Sequence, residues 1–274
     1  MIIDAWIQHP TRRLLEQEMF TSLLKWMGIT QVPNELPLEF TLGAMDAAGI
    51  DRAVITAWHG PQGVLISNDE VAALVRCAPD RLIGAASVDL NRPMTAVKEL
   101  RRAVKELGLR ALRMLPWLWN APPDDRRYYP LYAQCVELGV PFCTQVGHTG
   151  PMGPSDPGRP IPYLDRVALD FPELTIVAGH IGYPWTDEMV ALASKYENVF
   201  IDTSAYKPRR YPASLREYLR GPGRTKVLFG SNFPMVMPAD CMAEMGELGL
   251  DDDVMSLFLG GNAERVFKGK ASTL

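Results

Sequence analysis

The sequence predicts an α/β chain folded as a (β/α)8 TIM barrel, one domain spanning residues 1–274. Three observations carry that prediction. Short apolar, β-rich runs alternate with helix-period stretches from end to end. About eight such strand–helix units can be read, and the chain has the length of one such barrel.

The strands read, in order, as "IIDAW", "RAVITAW", "RLIGAASV", "LRALRML", "PFCTQV", "LTIVAGH", "VFIDTS" and "KVLFGS". Between them, "NDEVAALVRCA", "MTAVKELRRAVKEL", "YYPLYAQCVEL", "YLDRVALDF" and "TDEMVALASKY" repeat apolar residues at three and four, the period of a helix with one buried face. Alternation of this kind calls for parallel strands joined by crossover helices. Gly49, Gly108 and Gly139 each follow a helical run and precede a strand, where a cap glycine belongs. Asp80 and Asn198 occupy similar turns. Two segments exceed what a connection needs: a helical insertion at about 10–37 ("TRRLLEQEMFTSLLKWM" and a loop), and the Gly/Pro-rich 147–162, "GHTGPMGPSDPGRPIP". Loops after barrel strands build the active-site face, so both are expected rims or lids.

Composition narrows the function classes. A net charge of −4 leaves no basic footprint for nucleic acid or anionic membrane. No leader and no membrane-length apolar run is read, so the expected location is cytoplasmic. The four cysteines stand singly and read as reduced thiols, with Cys143 the one to watch as a nucleophile. A small-molecule substrate is the expected partner, with a homo-oligomer left open.

The four histidines, His9, His59, His148 and His180, each fall just after a strand: the first, second, fifth and sixth. Four imidazoles at one end of a barrel point to acid–base chemistry there. Trp117 and Trp119 in "PWLWNAPPDD" suggest an aromatic wall, and "YKPRRYP" offers Lys207, Arg209 and Arg210 to an anionic substrate or simply to solvent. Asp202 and Ser204 alternate on one face of the seventh strand, where Asp202 orients a histidine or serves as a buried structural acid. Asp4 reads as a packing acid of the first strand.

Taken in order, "IIDA", "AMDAAGIDRAVI", "RLIGAASVDL", "LGLRALRMLP" with "YYPLYAQCVELGVPF", "IVAGHIGYPW", "NVFIDTSA", "VLFGSNFP" and "LGGNAERVF" resemble the amidohydrolase-related barrels typified by aminocarboxymuconate-semialdehyde decarboxylase. The resemblance covers nearly the whole chain. It implies an enzyme acting on a small molecule, by hydrolysis or decarboxylation at a mononuclear metal. The departures lie at the ligand positions. The two histidines of the family's "IDxHxH" are Trp6 and Gln8 here, and the strand-five histidine is Gln145, with His148 three residues on. His180 is retained, and the strand-eight acid is Asn232. Neutral amides and an indole are poor zinc ligands. The expected site is therefore metal-independent: Trp6, Gln8, Gln145, Asn232, Trp117, Trp119, Asp202 and Ser204 bind the substrate, while His180 moves protons with His148 and His59 as partners. Arg113, where the family's "KGIKLHP" is matched by "RALRMLP", is expected to hold a carboxylate or an oxyanion. The expected substrate is small and carboxylated, aromatic or unsaturated. Hydrolysis, as of a lactone, is favoured over a lyase step. The rivals are a metal-dependent enzyme holding zinc or manganese through a rebuilt set (His59, His148, His180), and a non-catalytic binding barrel.

Overall fold

A computed structural model describes residues 1–29, 31 and 36–268. Eight parallel strands form the barrel: β1 (Ile3–Ile7), β2 (Arg52–Thr56), β3 (Leu82–Ala86), β4 (Ala111–Met114), β5 (Phe142–Gln145), β6 (Ile176–Gly179), β7 (Val199–Asp202) and β8 (Val227–Leu228). Each pairs with its sequence neighbour, as strand–helix alternation requires. The first and last strands meet through backbone bonds from Ala5 to Phe229 O (2.9 Å), Asn232 to Trp6 O (2.9 Å) and Gln8 to Phe233 O (3.0 Å). Every run read as a strand contains one. The barrel interior is filled by buried side chains, among them Asp4, Trp6, Arg113 and Asp202, so only the end where the strands finish is left to hold a ligand.

The helices stand where their periods place them, and their ends have local causes. Ser67 and Glu70 form a reciprocal capping box that starts the helix Asn68–Cys77. Gly139, at φ 65°, closes Tyr129–Leu138 in the left-handed region, which a glycine enters without a Cβ penalty.

Two features differ from expectation. The run from Thr11 to Met27 is not one helix: it divides into Arg12–Leu15, a 3-10 turn at Glu18–Phe20 and Thr21–Trp26. Its buried residues, Leu14, Leu15, Phe20 and Leu24, would spread around a continuous helix; breaking it turns them all inward. Part of the predicted 10–37 insertion, residues 30 and 32–35, lies outside the described residues. After β2 an antiparallel hairpin, Trp58–Gly60 with Gly63–Ile66, replaces a plain loop. Among the described residues no helix is long and apolar enough to cross a membrane.

Candidate active site

A cavity of about 290 Å³ opens where the strands end. Its floor begins with β1, whose period-two alternation puts Asp4, Trp6 and Gln8 on one face. The Trp6 indole lies across the barrel against Gly179, where an added Cβ would come within 2.7 Å of the ring. β6 then ends in three consecutive left-handed residues, His180, Ile181 and Gly182 (φ 71°, 53° and 76°). Two of them are not glycine, a costly conformation, and it carries the imidazole to within 4.9 Å of the Trp6 ring.

Both long segments become walls. Leu14, Phe20, Leu23 and Trp26 come from the insertion after β1, and His148, Gly150 and Pro151 from the loop after β5. Gly147 and His148 are laced to Gly158 O and Tyr183 O, each at 2.6 Å. Sequence reasoning missed Trp58, Tyr183 and Tyr206, which also line the cavity. The signal was available in part: each lies one to four residues beyond the end of its barrel strand, where active-site side chains concentrate.

The polar groups form short chains. Gln8 Nε2 donates to Phe233 O at 2.6 Å and lies 3.4 Å from both Asn232 O and Asn232 Oδ1. That orientation leaves Gln8 Oε1 buried without a partner among the described residues. Trp117 Nε1 donates to Gln145 Oε1 at 2.8 Å, and Gln145 Nε2 donates to His148 O at 3.1 Å. His180 Nδ1 lies 2.7 Å from Ser204 Oγ. Burial, reinforced by the nearby Arg113 cation and by His148, lowers the His180 pKa to about 3, so the imidazole is neutral across the working range.

Several expected site residues stand elsewhere. Arg113 is behind the cavity, not in its wall: its guanidinium stacks 3.7 Å from the Trp6 ring centroid and donates to Ala5 O (3.0 Å) and Ile7 O (3.5 Å). Asp202 and Ser204 lie behind His180 and do not line the cavity. Ser204 N donates to Asp202 Oδ1 at 2.8 Å. His59 and Trp119 pack ring against ring outside the cavity, because the hairpin carries His59 off the barrel axis. His9 turns outward, with Nδ1 2.8 Å from Thr41 Oγ1 and Nε2 2.9 Å from Leu36 O. Burial pushes the Cys143 thiol up to about 12, which removes it as a ready thiolate nucleophile.

The mouth does not fit a catalytic metal. Such a site needs about three anionic or imidazole ligands. Here two imidazoles, His148 and His180, stand with three neutral amides and no carboxylate, and Trp6 spreads its ring between His180 and a buried arginine. Among the described residues no three of His, Cys, Asp and Glu converge.

Comparison with known proteins agrees with the fold. The family model described as amidohydrolase matches residues 28–269. An uncharacterised TIM-barrel protein from Bordetella bronchiseptica superposes with a TM-score of 0.84 at 27% identity, over 97% of this chain and 98% of that one. A dihydroxybenzoic acid decarboxylase from Polaromonas, solved with bound manganese, shares the fold at 20% identity and a TM-score of 0.73, over 97% and 96%. The 2-keto-4-carboxy-3-hexenedioate hydratase of Sphingobium is 29% identical over 212 residues, 63% of this chain and 62% of its own. The chain spans less than two-thirds of the length of the curated relatives it matches.

Proposed function

Because the chain belongs to the amidohydrolase family, we propose that it is an enzyme that adds water, without a catalytic metal, to a small flat unsaturated carbonyl compound. The preferred reaction is hydrolysis of a lactone or similar acyl bond; hydration of a conjugated double bond is a related addition, with water at the β-carbon, a proton delivered to the α-carbon and no bond to a leaving group broken. The observation that carries this reading is the state of His180. In the proposed state Ser204 Oγ accepts from His180 Nδ1–H, which makes Nε2 an unprotonated nitrogen with no partner among the described residues.

In this scheme His180 Nε2 takes a proton as the water oxygen bonds to the carbonyl carbon. The acyl–oxygen bond then breaks and the leaving oxygen receives that proton. Asn232 Nδ2, bonded to no described residue, is placed to donate to the developing oxyanion. Gln8 Oε1 is the free acceptor that would orient the water or a substrate hydroxyl. The imidazolium formed midway keeps its Nδ1–H on Ser204 Oγ, and Asp202 positions Ser204 through its backbone N–H.

Decarboxylation is the second reading, favoured by the resemblance to the semialdehyde decarboxylase; among the described residues no lysine or arginine lines the cavity to hold the carboxylate. The test is a panel of aryl and unsaturated lactones and enones assayed with protein purified without chelator. The expected result is turnover with zinc and manganese well below one equivalent, and a loss of about 10²–10⁴-fold in kcat for His180→Gln. A full equivalent of either metal, lost together with activity in that variant, would sink the metal-free mechanism.

A further inference from the structure

We infer that this cavity takes an uncharged, planar, hydroxyl-bearing carbonyl compound and rejects the matching carboxylate. The assignment rests on reading the cavity as the substrate site, and it goes beyond the reaction to the charge of what binds.

The wall itself excludes an anion. Among the described residues none of its lining side chains is Lys, Arg, Asp or Glu. Four of the six tryptophans line it, which suits a flat ring. A carboxylate moved from water into such a wall loses its hydration and meets no lysine or arginine; the two imidazoles there are His180, kept neutral by burial, and His148 at the exposed rim. Of the cations the sequence offered, Arg210 does not line the cavity and the other three are committed. Arg113 lies beneath Trp6 with its Nη hydrogens on the Ala5 and Ile7 carbonyls. Lys207 pairs with Asp240 at 2.7 Å and Arg209 with Glu244 at 3.4 Å. Arg113 is also balanced from within. Asp4 and Asp202 are both fully buried near it, with carboxyl pKa values that burial raises only to about 7 and about 6, so near neutral pH the layer under the floor carries no net positive charge.

Two unpaired groups say what the neutral ligand should offer. Gln8 Oε1 is an acceptor and Trp58 Nε1 a donor; both are buried without partners among the described residues, and both belong to residues that line the cavity. A buried group left unpaired costs free energy that a ligand recovers by pairing it. A hydroxyl satisfies Gln8 and a carbonyl oxygen satisfies Trp58. The same wall clears a hydrolytic product, since opening a lactone creates the carboxylate that the cavity disfavours.

The test is calorimetric titration of the full chain at neutral pH with three probes of one shape. They are para-hydroxyacetophenone, para-methoxyacetophenone and para-hydroxybenzoate, none of which is a hydrolysable ester. The hydroxy ketone is expected to bind at least about 100-fold more tightly than the benzoate, and about 10-fold more tightly than the methoxy ketone. Gln8→Met should erase the second difference and keep the first. Should that variant fail to fold, the three probes on the unmodified chain still decide. Equal or tighter binding of the benzoate overturns the assignment, and so does failure of both ketones to bind. Calorimetry reads no turnover, so ketone binding by a chain that hydrolyses nothing would remove the proposed reaction and leave this assignment standing. Turnover of lactones by a chain that prefers the benzoate would do the reverse.

Discussion

One indole separates two regions of opposite character. Above Trp6, the cavity wall holds no lysine, arginine, aspartate or glutamate among the described residues: it is made of amides, two imidazoles, aromatic rings and aliphatic side chains. Below it, Asp4, Arg113 and Asp202 lie within the barrel, none more than 2% exposed. A related fold would spend its charge at the mouth on a metal. Here the charge sits one layer deeper, where it can hold the floor rigid and bias His180 while making no contact with a ligand. The upper region recognises by shape and hydrogen bonds; the lower one supplies fixed electrostatics.

The largest effect should come from breaking the lower region. Arg113→Met leaves two buried carboxyl groups without their shared cation and removes the stack under Trp6. Unfolding in urea should show a loss of about 3–5 kcal/mol, the cost of stripping one partner from a buried ionic group. A loss below about 1 kcal/mol, the value of an exposed pair, would mean that the layers are not coupled in this way.

How far each region could be read from the sequence follows from the range of its contacts. The strands were legible because period and apolarity are local, and Gly139 because a left-handed cap leaves a one-residue mark. That Trp6, Gln8, Gln145 and Asn232 line one cavity was legible because they stand at or just past the ends of their strands. The lower layer was not. Asp4, Arg113 and Asp202 come from β1, β4 and β7, and nothing local tells an arginine aimed at the mouth from one folded under a tryptophan. His59 misled for a similar reason. "WHGPQGVLI" reads as a strand end and a loop, yet the turn between "WHG" and "GVLI" makes a hairpin that moves the ring off the axis.

A smaller effect sharpens the same comparison through pH. Burial holds the Asp4 carboxyl up to about 7 in the folded chain, against 3.8 for an ordinary aspartate. Between those values the folded state keeps a proton that the unfolded state has lost, so this group's contribution to stability is present at acid pH and disappears as pH rises toward 7. Asp4→Asn removes that dependence. Urea unfolding at about pH 5 and about pH 8 should therefore show the variant gaining on the parent by roughly 2–3 kcal/mol at the higher pH. Asp202 and Arg113, its charged neighbours, are unchanged in the variant. A gap that shrank with rising pH would place the buried proton elsewhere.

The smallest effect belongs to the upper region, where single hydrogen bonds act. Trp117→Phe keeps an aromatic wall but deletes the 2.8 Å donor to Gln145 Oε1. Gln145 still donates to His148 O, so the amide stays in place with its oxygen free to turn into the cavity. Stability should fall by about 1 kcal/mol, the net worth of one such bond. KM should rise about 3–10-fold with kcat nearly unchanged, because an aligned wall contributes to substrate and transition state alike. If kcat instead fell by about 100-fold, Gln145 would have to touch the reacting atoms. The uncharged wall would then take part in the chemistry as well as in recognition, and the division of labour across Trp6 would fail at that residue.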